Sequence, residues 1–213
     1  MARRAGDDPL HRWGWPDEDE FEYEEDIPES GRDWRRAKGI FVLAPVGGPA
    51  GERIAEIQRQ YDPKLAATNR PHVTMVGSSG TGPITPGTDV QTLRASLQPV
   101  VAALEPMVLH FGAPTRFMQT NIVSLPLDPN GPLRLVHERI KATKLDFMHA
   151  RFAFTPHATL HFYPVLTRAR ARELLALRVD EPAIIDRLEL SLTNDPQPPR
   201  HLLTLMLGND AAA

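Results

Sequence analysis

The sequence contains no cysteine and no long apolar run, and aromatic residues make up only 7% of its 213 residues. The absence of cysteine excludes disulfides, thiolate-bound zinc and a cysteine nucleophile. A bilayer span needs roughly 18 consecutive apolar residues, so we expect no contact with a membrane. No apolar stretch follows the basic residues near the N-terminus, which argues against a secretory signal and favours a cytoplasmic protein.

The charges that are present divide unevenly along the chain. Residues 1–30 carry 3 Lys and Arg against 11 Asp and Glu, whereas residues 31–213 carry 21 basic and 16 acidic residues. Hydrophobic residues make up 41% and charged residues 24%, which is typical of a globular protein. The mildly basic remainder suits an anionic ligand but does not require one.

The acidic N-terminal segment predicts a domain boundary. Residues 17–26 are almost entirely acidic, and like charges at this density repel one another and bury no core. We therefore expect a disordered tail over residues 1–36 and one domain, expected to be monomeric, over residues 37–213. The tail either keeps the protein in solution or docks on a protein partner or on the basic groove of its own domain.

From residue 37 onward, strand and helix patterns alternate. Short apolar runs predict strands, and apolar residues three to four positions apart predict helices. The predicted strands are 39–46, 72–76, 108–111, 115–118, 122–127, 157–163, 184–193 and 202–207, and the predicted helices are 51–61, 88–104, 133–145 and 167–178. Each half contains a strand, a helix, a histidine-bearing strand and a helix, which indicates an α+β or α/β domain with two roughly equivalent lobes.

Two tetrapeptides repeat the pattern Pro-His-x-Thr, one at Pro71–Thr74 and one at Pro156–Thr159. The composition alone predicts about 0.05 copies of such a pattern, so two copies indicate a shared role. Side chains alternate along a strand, so the histidine and threonine of each motif point to the same face. The polar face is expected to carry His72, Thr74, Val76, His157, Thr159, His161 and Tyr163, with the apolar face in the core.

If the two motif strands meet, two imidazoles and two hydroxyls surround one small cleft. Histidines that titrate near neutrality can supply a base and an acid in the same turnover. The hydroxyls of Thr74 and Thr159 can donate hydrogen bonds to the oxygens of a phosphate held between them. The pattern therefore predicts displacement at phosphorus without a metal or other cofactor, with His72 and His157 as the catalytic pair.

The paired His-x-Thr motifs resemble those of the 2H phosphoesterase superfamily, which includes 2′-5′ RNA ligases and cyclic nucleotide phosphodiesterases. The resemblance covers residues 37–208. It implies a bilobal fold with mainly antiparallel sheets around a central cleft, and activity on 2′,3′-cyclic phosphates or 2′-5′ linkages of RNA or nucleotides. It also implies catalytic roles for His72 and His157 and phosphate binding by Thr74 and Thr159. One departure is that His161 to Tyr163 follow the second motif, where ligase-like members often carry an arginine.

Other residues are weaker candidates for substrate binding. The groove side of the second motif strand offers His161 and Tyr163, the latter as a ring on which a base stacks. Three arginines near the motifs or on neighbouring elements are candidate phosphate contacts: Arg70, Arg116 and Arg151. A zinc site using His157 and His161 is the chemical alternative, but catalytic zinc normally takes three protein ligands, and neither carboxylate nor cysteine accompanies this pair.

The same residues leave three other functions open. The substrate of the same site could be a cyclic oligonucleotide or a 2′-5′ oligoadenylate signal. The protein could also be a module that binds RNA or nucleotide without turnover, although a binding module needs no acid–base pair. A metal-dependent hydrolase is the least favoured alternative.

Overall fold

The computed structural model describes residues 39–118, 120–150, 152–194 and 197–208. The predicted acidic tail lies outside these residues. Within the described ranges the helices are α1 (Gly48–Tyr61), α2 (Pro63–Thr68), α3 (Val90–Ala102), α4 (Pro132–Lys141) and α5 (Arg168–Ala176). No helix in this part of the chain is long and apolar enough to cross a membrane.

The strands form one large antiparallel sheet and a small ribbon. The strands are β1 (Gly39–Pro45), β2 (His72–Val76), β3 (Met107–Leu109), β4 (Thr115–Arg116), β5 (Val123–Pro126), β6 (His157–His161), β7 (Ala183–Ile185), β8 (Arg187–Asn194) and β9 (Gln197–Met206). Seven strands pair in the order β4-β5-β6-β2-β1-β8-β9, while β3 pairs with β7. The predicted α+β class with antiparallel sheets is confirmed, and the motif strands β2 and β6 are neighbours at its centre.

The helices begin where local backbone chemistry favours them. The carboxylate of Asp89 accepts a hydrogen bond from the amide of Thr92 at 2.9 Å, so Asp89 caps α3. Helices α1 and α4 each follow a glycine and carry a proline in the first turn. Proline suits this position because its fixed φ is already helical and its missing amide proton has no partner there.

Every predicted element is present, but several boundaries differ and helix α2 was not predicted. Strand β2 has the predicted bounds, but β6 ends at His161, two residues before the predicted end. The run predicted over residues 184–193 divides into β7 and β8, because Asp186 separates the ribbon from the large sheet. The last strand begins at Gln197, five residues before the predicted start, so β8 and β9 form a long hairpin.

The two halves of the large sheet repeat the same register around the motifs. Pro45 lies opposite His72 in the pair β1–β2, and Pro126 lies opposite His157 in the pair β5–β6. The residue after each of these prolines donates its amide to the carbonyl of the proline that precedes the motif histidine, at 2.8 and 2.9 Å. The two predicted lobes therefore share the same strand register and the same hydrogen bond beside their motifs.

Each motif strand also carries a bulge at the same place. The register shifts once in β1–β2 and once in β5–β6, so that Met75 and Leu160 are extra residues relative to the neighbouring strand. A bulge adds one residue to one strand and interrupts the alternation of its side chains. The two motif strands consequently share one burial pattern, in which the last two residues of each are both buried.

One face of the sheet is the core and the other carries the polar motif residues. The core face is covered by the helices and contains fully buried residues such as Val42, Val73, Ala158, Leu188 and Leu190. The motif histidines and threonines are partly exposed on the opposite face. The period of two along each strand thus separates an apolar layer from a solvent-accessible cleft.

Candidate active site

The two motif histidines are held in the same way by the main chain. Nδ1 of His72 lies 2.7 Å from the carbonyl oxygen of Arg70, and Nδ1 of His157 lies 2.7 Å from that of Thr155. A carbonyl oxygen only accepts, so each Nδ1 donates its proton. Nε2 is left in both rings as the atom that gains and loses a proton during acid–base chemistry.

The central strand pair brings the two motifs together. Val73 lies opposite Ala158 in the antiparallel pair β2–β6. Continuing this register by one residue on each side places each histidine opposite the threonine of the other motif. Opposite side chains lie about 5 Å apart at Cβ, and residues two apart along a strand lie about 6.6 Å apart. These four residues, His72, Thr74, His157 and Thr159, form the motif quartet.

Burial lowers the pKa of both histidines of the quartet. For His72 the main cause is desolvation; the charge of His157 lowers its pKa further, while the Arg70 carbonyl and Glu189 raise it. For His157 desolvation is again the main cause and the Thr155 carbonyl opposes it. Both residues are only partly exposed, so protein atoms surround much of each ring while solvent still reaches it. Their neutral forms are favoured, and the two positive charges oppose each other.

The hydroxyls of the quartet are available to a ligand. Neither Thr74 nor Thr159 uses its Oγ1 in a hydrogen bond to another described residue, and both residues are partly exposed. The main chain of Thr159 is nevertheless anchored, because its carbonyl accepts a hydrogen bond of 2.7 Å from Nε2 of Gln58. The site therefore combines a rigid backbone with hydroxyl donors that point into the cleft.

Helices from each half brace the motif strand of the other half. Gln58 on α1, which follows β1, donates to β6. His137 on α4, which follows β5, donates from Nδ1 to the carbonyl of Met75 on β2 at 2.7 Å. Nε2 of His137 lies 3.2 Å from the Thr81 hydroxyl, and its ring stacks on Phe154 at 4.0 Å. His137 is thus a structural residue, and it ties the loop after the first motif to the core.

The surroundings of the quartet differ between the two halves. Phe117 lies edge-on to the ring of His157, with the ring centroids 5.0 Å apart and an angle of 69° between the planes. Sequence reasoning gave Phe117 no role, although it lies two residues after Thr115, which faces Ser124 beside the second motif. Alternation along the predicted strand was the signal that could have placed this ring near the site. Phe117 forms a wall of the cleft on the His157 side.

His161 is not a groove residue, which corrects the prediction from strand alternation. Its side chain is completely buried, and Nδ1 lies 2.8 Å from the carbonyl oxygen of Asn121. Nε2 is also buried and has no hydrogen-bond partner among the described residues. The bulge at Leu160 turns His161 to the core face, where it sits opposite Val123. His161 therefore has no exposed surface for a substrate or for a metal shared with His157.

Tyr163 lies beyond the end of β6, in a turn held by a buried carboxylate. Oδ2 of Asp62 accepts the amides of Phe162 and Tyr163 at 2.7 and 2.8 Å. Tyr163 is 40% exposed, and Nζ of Lys64 lies 4.2 Å from the centroid of its ring. Tyr163 is accessible, but its contacts are with this corner of the fold and not with the motif quartet.

The three candidate arginines fall in different places. Arg70 is exposed, and its main-chain carbonyl orients His72. Arg116 pairs with Val123, whose side chain is on the core face, and its Nε donates to the carbonyl of Thr120 at 2.7 Å. Strand alternation therefore places Arg116 on the face away from the quartet, contrary to the predicted phosphate contact. Arg151 lies outside the described residues.

No group of three or more His, Asp or Glu side chains that could hold a metal ion occurs among the described residues. The quartet itself offers two imidazoles and two hydroxyls. The carboxylate of Glu189 influences the pKa of His72, and Arg187 donates a hydrogen bond of 2.9 Å to it.

Comparison with known proteins agrees with this fold. Residues 46–196, more than half of the chain, match the family model of the 2′-5′ RNA ligase superfamily. The crystal structure of E. coli LigT in apo form is 14% identical, with a TM-score of 0.50 over 81% of this chain and 98% of that chain. A crystal structure described as a phosphoesterase is also 14% identical, with a TM-score of 0.50 over 81% and 99% of the two chains. No curated protein matches the sequence.

Proposed function

The chain belongs to the 2′-5′ RNA ligase superfamily, and on that basis we propose that it is a metal-independent phosphodiesterase of RNA or nucleotides. Its proposed substrates carry a 2′,3′-cyclic phosphate or a 2′-5′ linkage. His72 and His157 act as the acid–base pair in this proposal, and Thr74 and Thr159 bind the phosphate. The observation that carries it is the quartet, in which both histidines present Nε2 on one face.

The reaction on a 2′,3′-cyclic phosphate needs one proton removed and one delivered. One neutral imidazole takes a proton from water through Nε2 as the water oxygen forms a bond to phosphorus. The other, protonated imidazole donates its Nε2 proton to the ribose oxygen as the opposite P–O bond breaks. The product is a ribose phosphomonoester with one free hydroxyl. The diagonal arrangement of His72 and His157 across the strand pair suits an in-line displacement, in which the two oxygens lie on opposite sides of phosphorus.

In this proposal the threonines donate hydrogen bonds to the phosphate, while the histidines transfer protons. Negative charge on the non-bridging oxygens grows as the ring opens, and preorganised hydrogen-bond donors stabilise it. The hydroxyls of Thr74 and Thr159 are suited to this because no described residue uses them. Each lies beside the histidine of the other motif, so the phosphate contacts both halves of the sheet.

A substrate panel tests this proposal. The panel contains a 2′,3′-cyclic mononucleotide, an RNA ending in a 2′,3′-cyclic phosphate, a 2′-5′ dinucleotide and a cyclic dinucleotide, each assayed with and without EDTA. We expect turnover of at least one of the first three, and no turnover by H157A. Turnover of the cyclic dinucleotide alone would move the substrate to a signalling nucleotide. Tight binding of these ligands without turnover of any would support a binding module instead, and activity lost with EDTA and restored by zinc would support a metal hydrolase.

A further inference from the structure

The two halves of the sheet carry different residues at corresponding positions beside the quartet. In the first half Leu43 lies opposite Thr74 on one side and opposite Glu189 on the other. In the second half Ser124 lies opposite Thr159 on one side and opposite Thr115 on the other. Glu189 therefore occupies the same position relative to the first motif as Thr115 occupies relative to the second. A carboxylate stands on one side of a nearly symmetric site, and a hydroxyl stands on the other.

Glu189 shares the cleft face with the quartet. Its sequence neighbours Leu188 and Leu190 are fully buried on the core face, whereas the Glu189 side chain is 25% exposed. Adjacent strands lie about 4.8 Å apart, so Glu189 is about 10 Å from Thr74 at the main chain, within reach of two side chains that extend toward each other. His72 lies two residues from Thr74 on the same strand face, so Glu189 is diagonal to His72 and about 12 Å from it at the main chain. Desolvation is the main cause that lowers the pKa of His72, and the carboxylate of Glu189 raises it.

Arg187 holds this carboxylate in place and offsets its charge. Nε of Arg187 donates to Oε1 of Glu189 at 2.9 Å, and Nη1 donates to Oδ1 of Asp186 at 2.9 Å. Glu189 is the main cause that raises the pKa of Arg187. An unpaired carboxylate in the cleft would repel an anionic substrate, and the ion pair reduces that repulsion.

We propose that Glu189 is a positioning residue that stabilises the protonated form of His72, and that Arg187 limits its charge so that the cleft still admits an anion. This inference rests on the proposed two-histidine function. Each turnover passes through a state in which His72 carries a proton, whether it donates that proton to the leaving oxygen or has just accepted it from water. The role of Glu189 is therefore the same under either assignment of acid and base.

Among the described residues, the charges that act on His72 are those of His157 on β6 and Glu189 on β8. Arg187 pairs with Glu189 on β8, and Arg70 lies two residues before His72 and contacts it through its main-chain carbonyl. His157 opposes protonation of His72, and Glu189 favours it. The arginines cannot lose their charge near neutral pH. Substitutions of Glu189 and Arg187 should consequently displace the pKa of His72 in opposite directions.

Titration of the ligand-free protein tests this directly. The Cε1 proton of His72 is followed by NMR in protein labelled at histidine and is assigned by its absence in H72Q. In E189Q, where the amide oxygen can still accept from Arg187, the pKa of His72 should fall by several tenths of a unit up to about one unit. In R187Q it should rise, and KM for an anionic substrate should also rise.

Substitutions at Thr115 provide the matched control. T115E places a carboxylate at the corresponding position of the second half, so it should raise the pKa of His157, whereas T115Q should not. An unchanged His72 pKa in E189Q, or shifts of the same sign in E189Q and R187Q, would overturn the inference. These titrations need no turnover, so a failure of the proposed reaction on the substrate panel is seen separately from a failure of this electrostatic role.

Discussion

His161 occupies in the second half of the sheet the position that Val76 occupies in the first. Each is the last residue of its motif strand, each follows the extra residue of a bulge, and each is completely buried. Val76 fills this position with an apolar side chain. His161 fills it with an imidazole whose Nε2 has no hydrogen-bond partner among the described residues. A titratable group is therefore buried at a position where an apolar side chain suffices for packing.

We predict that H161V reduces the dependence of stability on pH. Desolvation holds the pKa of His161 below its usual range, and the Asn121 carbonyl and Asp62 oppose this only in part. Between the lowered pKa and the ordinary one, His161 is therefore protonated in the unfolded chain and neutral in the folded chain. Stability is complete above about pH 6.5 and falls as the pH drops from that value toward the lowered pKa. Urea unfolding of H161V and wild type at several values between pH 8 and 5 measures the difference.

The exposed His149 provides a control for this comparison. H149Q should keep the wild-type loss of stability on acidification, while H161V should lose less. A curve for H161V that parallels the wild type would show that His161 is protonated in the folded protein.

The pH dependence of kcat/KM should be bell-shaped with its maximum below about pH 6.5, because the pKa of both His72 and His157 is lowered in the free protein. The two limbs belong to the coupled pair and not to either residue alone. A bound phosphate stabilises imidazolium, so the profile of kcat should lie at higher pH than that of kcat/KM. Steady-state rates on the active substrate between pH 4 and 9 test this, and a rate that only increases up to pH 9 would be incompatible with the pair.

Removing the threonine hydroxyls should slow the reaction less than removing the histidines. T74V and T159V keep the side-chain shape but delete one donor each, which costs up to about 10²–10³ in kcat if the contact resembles an oxyanion-hole donor. T74S and T159S retain the hydroxyl and should restore most of the rate. Equal losses in the valine and serine variants would indicate that packing, not the hydroxyl, is what matters at these positions.

Deleting residues 1–36 should leave a folded and active protein, because this segment has no core-forming sequence pattern. Thermal unfolding and steady-state kinetics of the truncated and full-length proteins measure this. If the acidic segment covers the basic groove, KM should fall on truncation, and it should fall further at low salt, where screening is weak. Loss of cooperative unfolding would show that the boundary at residue 36 is wrong.

The motif strands were predictable because their information is local. Alternation, a proline at the start and two copies of one pattern place His72 and Thr74 on a single face without knowledge of strand order. The antiparallel α+β class followed from the resemblance and from the alternating elements. The hydrogen bonds from Nδ1 to the carbonyls of Arg70 and Thr155 are also local, although no side-chain pattern reveals them.

The wrong or missing parts depend on pairing between distant strands. The position of His161 depends on a bulge, which is defined by the neighbouring strand and leaves no mark in the alternation of β6 itself. The prediction for Arg116 was wrong because the sequence does not reveal which face of its strand lies on the quartet side of the sheet. Phe117 lies 40 residues before His157 and Glu189 lies 32 residues after it, and only the sheet order brings them to the quartet.

The most direct test of the account is the turnover of the active cyclic-phosphate substrate by H72A, H157A and the double variant in the presence of EDTA. Both single variants should fold as the wild type does and show no turnover above background, and the double variant should be scarcely worse than either, since the two residues act as one unit. The wild type should be unaffected by EDTA. A single variant with near-normal turnover, or a wild type silenced by EDTA and rescued by zinc or manganese, would contradict the two-histidine mechanism.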